Sequence, residues 1–71
     1  MAHTIRGFQT DQALLLADEI QKKTAESISV ERIERTFQTY GVVSDYTYWR
    51  KLPLVLQALG FDYDEIVEVA P

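Results

Sequence analysis

The chain has 71 residues, is 46% hydrophobic and 25% charged, contains one histidine and no cysteine, and carries a formal net charge of −4 with a pI of about 4.7. That length gives one small domain, which buries about 60% of the surface its unfolded chain would expose. Disulfides are excluded, no Cys or second His stands beside His3 to complete a zinc site, and the apolar content is too high for a disordered segment.

Charge is unevenly spread. Over residues 1–61, Arg6, Lys22, Lys23, Arg32, Arg35, Arg50 and Lys51 cancel Asp11, Asp18, Glu19, Glu26, Glu31, Glu34 and Asp45. The whole deficit falls on Asp62, Asp64, Glu65 and Glu68. A nucleic acid would have to approach the middle of the chain and avoid this end. Residues 1–9, MAHTIRGFQ, show no apolar run after a basic start. The longest apolar run, Ala13 to Ala17, falls far short of the roughly 20 residues that span a bilayer. A soluble, cytoplasmic protein without membrane contact is expected.

In chain order, HTIRGF (residues 3–8) places Ile5 and Phe8 among polar neighbours, which suits a short edge strand or an ordered arm. Thr10 is a candidate cap for a first helix with Asp11 in its first turn. Ala13, Leu14, Ala17 and Ile20 form its apolar face, widened by Leu15 and Leu16. Asp18 with Lys22 and Glu19 with Lys23 are spaced for helical ion pairs, and the helix should fade between Thr24 and Ser27.

Ser29 caps the next helix, Val30, Ile33, Phe37 and Tyr40 repeat at helical spacing, and Gly41 supplies a left-handed stop. Glu31 and Arg35 form a further i,i+4 pair, and Arg32 with Arg35 makes a basic edge. Val42 and Val43 then link to Ser44, the cap of a third helix. Its seam is expected on Trp49, Leu52, Leu56 and Leu59, with Thr47, Lys51, Leu54 and Ala58 opposite and Tyr46 and Arg50 on the flank. Gly60 ends it, and Phe61 should fold back onto Leu56. Pro53 removes a hydrogen bond mid-helix and predicts either a kink or two short helices, 45–51 and 53–59; the seam keeps its phase across the proline, which favours the kink. In the tail, DYDEIVEVAP, the residues Ile66, Val67 and Val69 suit a strand that could pair with residues 3–8.

The pattern over Tyr40, Gly41, Val43, Ser44, Thr47, Arg50 and Leu52, closed by Leu59, Gly60 and Phe61, resembles the helix-turn-helix of winged-helix proteins. The resemblance implies a mainly α, three-helix domain with a minimal two-stranded terminal β element. It further implies DNA as partner, with the third helix in the major groove, bases read by Tyr46, Thr47 and Arg50, and Lys51 facing the DNA and attracting it. Ser44 would meet phosphate near the helix N-terminus, and Arg32 and Arg35 would add attraction. A homodimer would join two weak half-sites. The chain departs from the family pattern where a wing should be basic, since Asp62, Asp64, Glu65 and Glu68 stand there.

The alternative is a protein-interaction module or small inhibitor acting through Leu54, Asp62, Tyr63, Asp64, Glu65, Ile66 and Glu68. Catalysis is not expected. No Ser/His/Asp or Cys/His set exists, and Gly7, Gly41 and Gly60 stand too far apart for a phosphate loop. The carboxylate pairs Asp18/Glu19 and Glu31/Glu34 have helical partners in sequence, and Asp64/Glu65 lacks the alternating ligands of a calcium loop. No cofactor or metal is implied.

Overall fold

A computed structural model describes residues 7–67. Four helices follow in order: α1 (Phe8–Thr24), α2 (Val30–Tyr40), α3 (Asp45–Leu59) and α4 (Tyr63–Ile66). The mainly helical expectation holds. Among the described residues there is no strand.

The boundaries of α2 and α3 lie where serine and glycine put them. Ser29 Oγ accepts the Arg32 N–H at 3.4 Å. At the far end Gly41 adopts φ +71°, and the Val42 N–H reaches the Phe37 carbonyl at 2.8 Å. Gly60, at φ +95°, repeats the stop, with the Phe61 N–H on the Leu56 carbonyl at 2.8 Å. Both are six-to-one bonds across a left-handed residue, which satisfy carbonyls the helix end would otherwise orphan. Pro53 lies inside α3, which runs as one helix from Asp45 to Leu59 rather than as two short ones.

Helix α1 departs from expectation at its start. Gly7, not Thr10, is its N-cap, and Gly7 supplies no side-chain acceptor. The Thr10 hydroxyl instead donates to Glu34 at 2.6 Å, tying α1 to α2. At the other end Ala25 takes the left-handed conformation, φ +64°, in a place where glycine is usual. Two expected ion pairs close on this helix, Lys22–Asp18 at 3.1 Å and Lys23–Glu19 at 3.8 Å. The third, Glu31 with Arg35 on α2, does not close.

The tail corrects the strand expectation. Residues Tyr63–Ile66 form a helical turn, begun at Asp62, whose N–H is accepted by the Glu65 carboxylate at 3.2 Å. The spacing Asp62-x-x-Glu65 is capping-box chemistry, and it gives the backbone local partners that an unpaired strand would lack. Val67 is extended, but its N–H closes this turn on the Tyr63 carbonyl at 2.8 Å. The other halves of the expected β element, residues 3–6 and Val69, lie outside the described residues.

The core is assembled from all four helices: Ala13, Leu16 and Ile20 of α1, Ile33 and Phe37 of α2, Tyr48, Leu52, Val55, Leu56 and Leu59 of α3, and Ile66 of α4, with Val42 from the link. Helix α2 packs on α1 and α3, and α4 packs on the same two from elsewhere, whereas no Cα of α1 lies within 8 Å of a Cα of α3. The helices therefore form a closed ring around the apolar centre. Side chains fill the gap between α1 and α3, where Tyr48 is hydrogen-bonded to Gln12.

Candidate nucleic-acid interface

The α2–turn–α3 unit carries the expected reading residues, and the structure sorts them into two groups. Ser44, Thr47 and Lys51 are engaged in holding the unit together. Ser44 Oγ accepts the Thr47 N–H at 3.3 Å, while Thr47 Oγ1 accepts the N–H groups of Val43 and Ser44, each at 2.9 Å. Thr47 Oγ1 also donates to the Ser44 carbonyl at 3.0 Å. This is a reciprocal cap: it uses the donor and both acceptor sites of the Thr47 hydroxyl and engages Ser44 Oγ as an acceptor, so both hydroxyls expected to face DNA are turned to the helix start. Lys51 Nζ donates to the Tyr40 carbonyl at 3.1 Å and is half-buried. It closes the end of α2, where a cation is favoured by the helix dipole.

Arg32, Arg35, Tyr46 and Arg50 form the second group, all exposed. Tyr46 is 68% exposed. Arg50 Nη1 donates to the Tyr46 hydroxyl at 2.8 Å, and the guanidinium carbon lies 5.4 Å from the Tyr46 ring centroid. That distance is within cation–π range. On α2, Arg32 and Arg35 project into solvent beside Thr36 and Thr39, whose hydroxyls donate to the Arg32 and Arg35 carbonyls at 2.9 and 3.0 Å.

Electrostatics separates the two sides of the molecule. The α1 cations Lys22 and Lys23 are bridged to acids, and the Lys22 pKa is raised by its hydrogen bond to Asp18. Arg32, Arg35, Arg50 and Lys51 make no ion pair among the described residues. Residues 28–61 hold these four cations against Glu31, Glu34 and Asp45, a net of +1, whereas residues 62–67 hold Asp62, Asp64 and Glu65, a net of −3.

Two sequence expectations on the apolar side need correction. Trp49 is not in the seam: it is 52% exposed, and Tyr48 takes the buried position with Leu52, Val55, Leu56 and Leu59. One residue is a 100° rotation on a helix, and both candidates are aromatic, so the phase had to come from the partner helices. In the tail, Ile66 is 1% exposed and is therefore not free to grip a partner, while Tyr63 is half-buried against the core. Asp62, Asp64 and Glu65 are exposed, as is Leu54, while Glu68 lies outside the described residues.

An open cleft of about 430 Å³ lies where Phe8, Gln9 and Thr10 meet Glu34, Gln38 and Val43. Polar groups there are engaged across the fold: Gln9 Nε2 donates to the Val42 carbonyl at 2.7 Å, and Glu34 accepts from Thr10. The surface of α3 is the better candidate. No helix is long and apolar enough to cross a membrane among the described residues. Compared with known protein families, with curated proteins and with solved structures, the chain finds no match.

Proposed function

We propose that the α2–turn–α3 unit binds nucleic acid, DNA in the first instance, as a small cytoplasmic regulatory module. The observation that carries this reading is the placement of cations: those of α1 are bridged to acids, and those of α2 and α3 are not. Phosphate would be met by Arg32, Arg35 and Arg50. Ser44, Thr47 and Lys51 act as positioning residues that set α3 against α2. The cationic face is small, so binding by one copy is weak and strongly salt-dependent, and a homodimer would raise the affinity by doubling the face.

The test is an anisotropy titration with labelled single strands and duplexes at two salt concentrations, for the native chain and Arg50→Ala. Binding that weakens with salt is expected, with a slope reduced by about one phosphate contact in the variant. No binding at low salt, or an unchanged slope, would overturn the assignment of Arg50.

A protein partner is the second reading, favoured by the exposure of Tyr46, Trp49 and Leu54 on the fold's best-capped helix and of Val43 in the link before it. The two readings give opposite signs to one change. Asp62→Asn with Asp64→Asn keeps the α4 cap chemistry and removes two negative charges. Nucleic-acid binding should strengthen, whereas capture of a basic protein through the acidic turn should weaken.

A further inference from the structure

Tyr46, Trp49 and Arg50 stand at i, i+3 and i+4 on α3 and share its outward side. Both rings make contacts that favour one orientation. Trp49 is braced from within. Phe37 meets Tyr48 edge-on, with ring centroids 5.9 Å apart at 87°, and Tyr48 meets Trp49 in the same manner at 5.0 Å and 78°. Phe37 and Tyr48 are buried, so this aromatic row runs from the core and ends with Trp49 half in solvent. Tyr46 is braced from outside, by the Arg50 hydrogen bond and the guanidinium against its ring. The result is a pair of braced aromatic rings beside a cation that makes no ion pair.

Resting on the nucleic-acid reading above, we infer that this face takes unpaired bases, and that its ligand is single-stranded nucleic acid. Every base has a π-face that stacks on an aromatic side chain whatever the sequence, and a neighbouring arginine attracts the connecting phosphate. A closed duplex offers base edges and phosphates along its grooves, so Trp49 and Tyr46 would have no ring to stack on. Contacts that favour one ring orientation before binding would lower the entropy lost when a base docks.

Trp49 is the single tryptophan of the chain, so its emission reports on this face alone. The full chain is titrated at low salt with an oligothymidylate of about 12 nucleotides, an abasic strand of equal length, and a matching duplex. Saturable quenching of Trp49 by oligothymidylate is expected, with affinity about tenfold above that for the abasic strand or the duplex. Trp49→Leu and Tyr46→Leu should each weaken binding of a dye-labelled strand by about tenfold while leaving the helical circular dichroism unchanged. Should Trp49→Leu fail to fold, Tyr46→Leu carries the test, since Tyr46 contributes nothing to the core. Equal binding of strand and abasic strand, a preference for duplex, or binding without change in Trp49 emission would each overturn the inference and leave nucleic-acid binding standing. Absence of binding to all three would overturn both.

Discussion

Helices α1 and α3 both leave large apolar side chains in water, and their surroundings differ. Leu15 on α1 is 64% exposed and has Leu14 beside it, with Asp11 and Asp18 on the same surface. Tyr46, Trp49 and Leu54 on α3 are comparably exposed and have Arg50 among them. The helices also differ in construction. Helix α1 begins on a glycine without a side-chain cap and ends on a left-handed alanine, while α3 begins on a reciprocal Ser44–Thr47 cap and ends on Gly60. The lesson is that an exposed leucine says little by itself. What distinguishes α3 is that exposed aromatic rings, contacts that brace them and an arginine without an ion pair coincide on one surface.

This contrast can be broken most severely at Tyr48, the residue that links the core to Trp49 and closes the gap toward α1. Tyr48→Ala should destabilise the fold by about 3–5 kcal/mol, as for other buried aromatic truncations, read by urea unfolding. The caps come next. Thr47→Ala should cost about 1 kcal/mol, because the N–H groups of Val43 and Ser44 lose their acceptor. It should leave the salt slope of binding unchanged, which separates a positioning residue from a phosphate contact. Ala25→Gly at the weak end of α1 should move stability the other way, by about 1 kcal/mol, through relief of the left-handed conformation.

The smallest effect is a pH dependence. Burial raises the Tyr48 pKa above the ordinary phenol value; charges on Glu19, Tyr63 and Asp45 add to this, and the Gln12 hydrogen bond opposes it. The folded state thus keeps its proton to higher pH than the unfolded chain does. The contribution to stability is intact below a pH of about 10 and is lost as pH rises through the folded value. Tyr48→Phe should flatten the alkaline limb of a stability profile followed by denaturant midpoint, and an unchanged limb would place the titration elsewhere.

Helices α2 and α3 were legible because Ser29, Gly41, Ser44 and Gly60 act through their own backbone neighbours, and such local chemistry can be read without a fold. Where a side chain had a choice of partner, the sequence misled. Thr10 had the composition of a cap and found Glu34 on another helix. Ile66 and Val67 had the β-branched look of a strand, yet Ile66 packs in the core at the end of a turn started by Asp62 and Glu65. At the candidate interface, residue types were readable and their availability was not. Ser44, Thr47 and Lys51 are polar residues of the expected kind, but their hydrogen bonds are made inward, and only the packed chain reveals this.

The ring arrangement has a consequence for how the molecule is built. Four residues are too few to hold a helix in water unaided, because nucleation consumes more order than one turn returns. Helix α4 can therefore settle only once α1 and α3 already present the seat for Ile66. It is the keystone of a small arch, set last and dislodged first, so the Val67 amide should exchange with solvent well before those of α3.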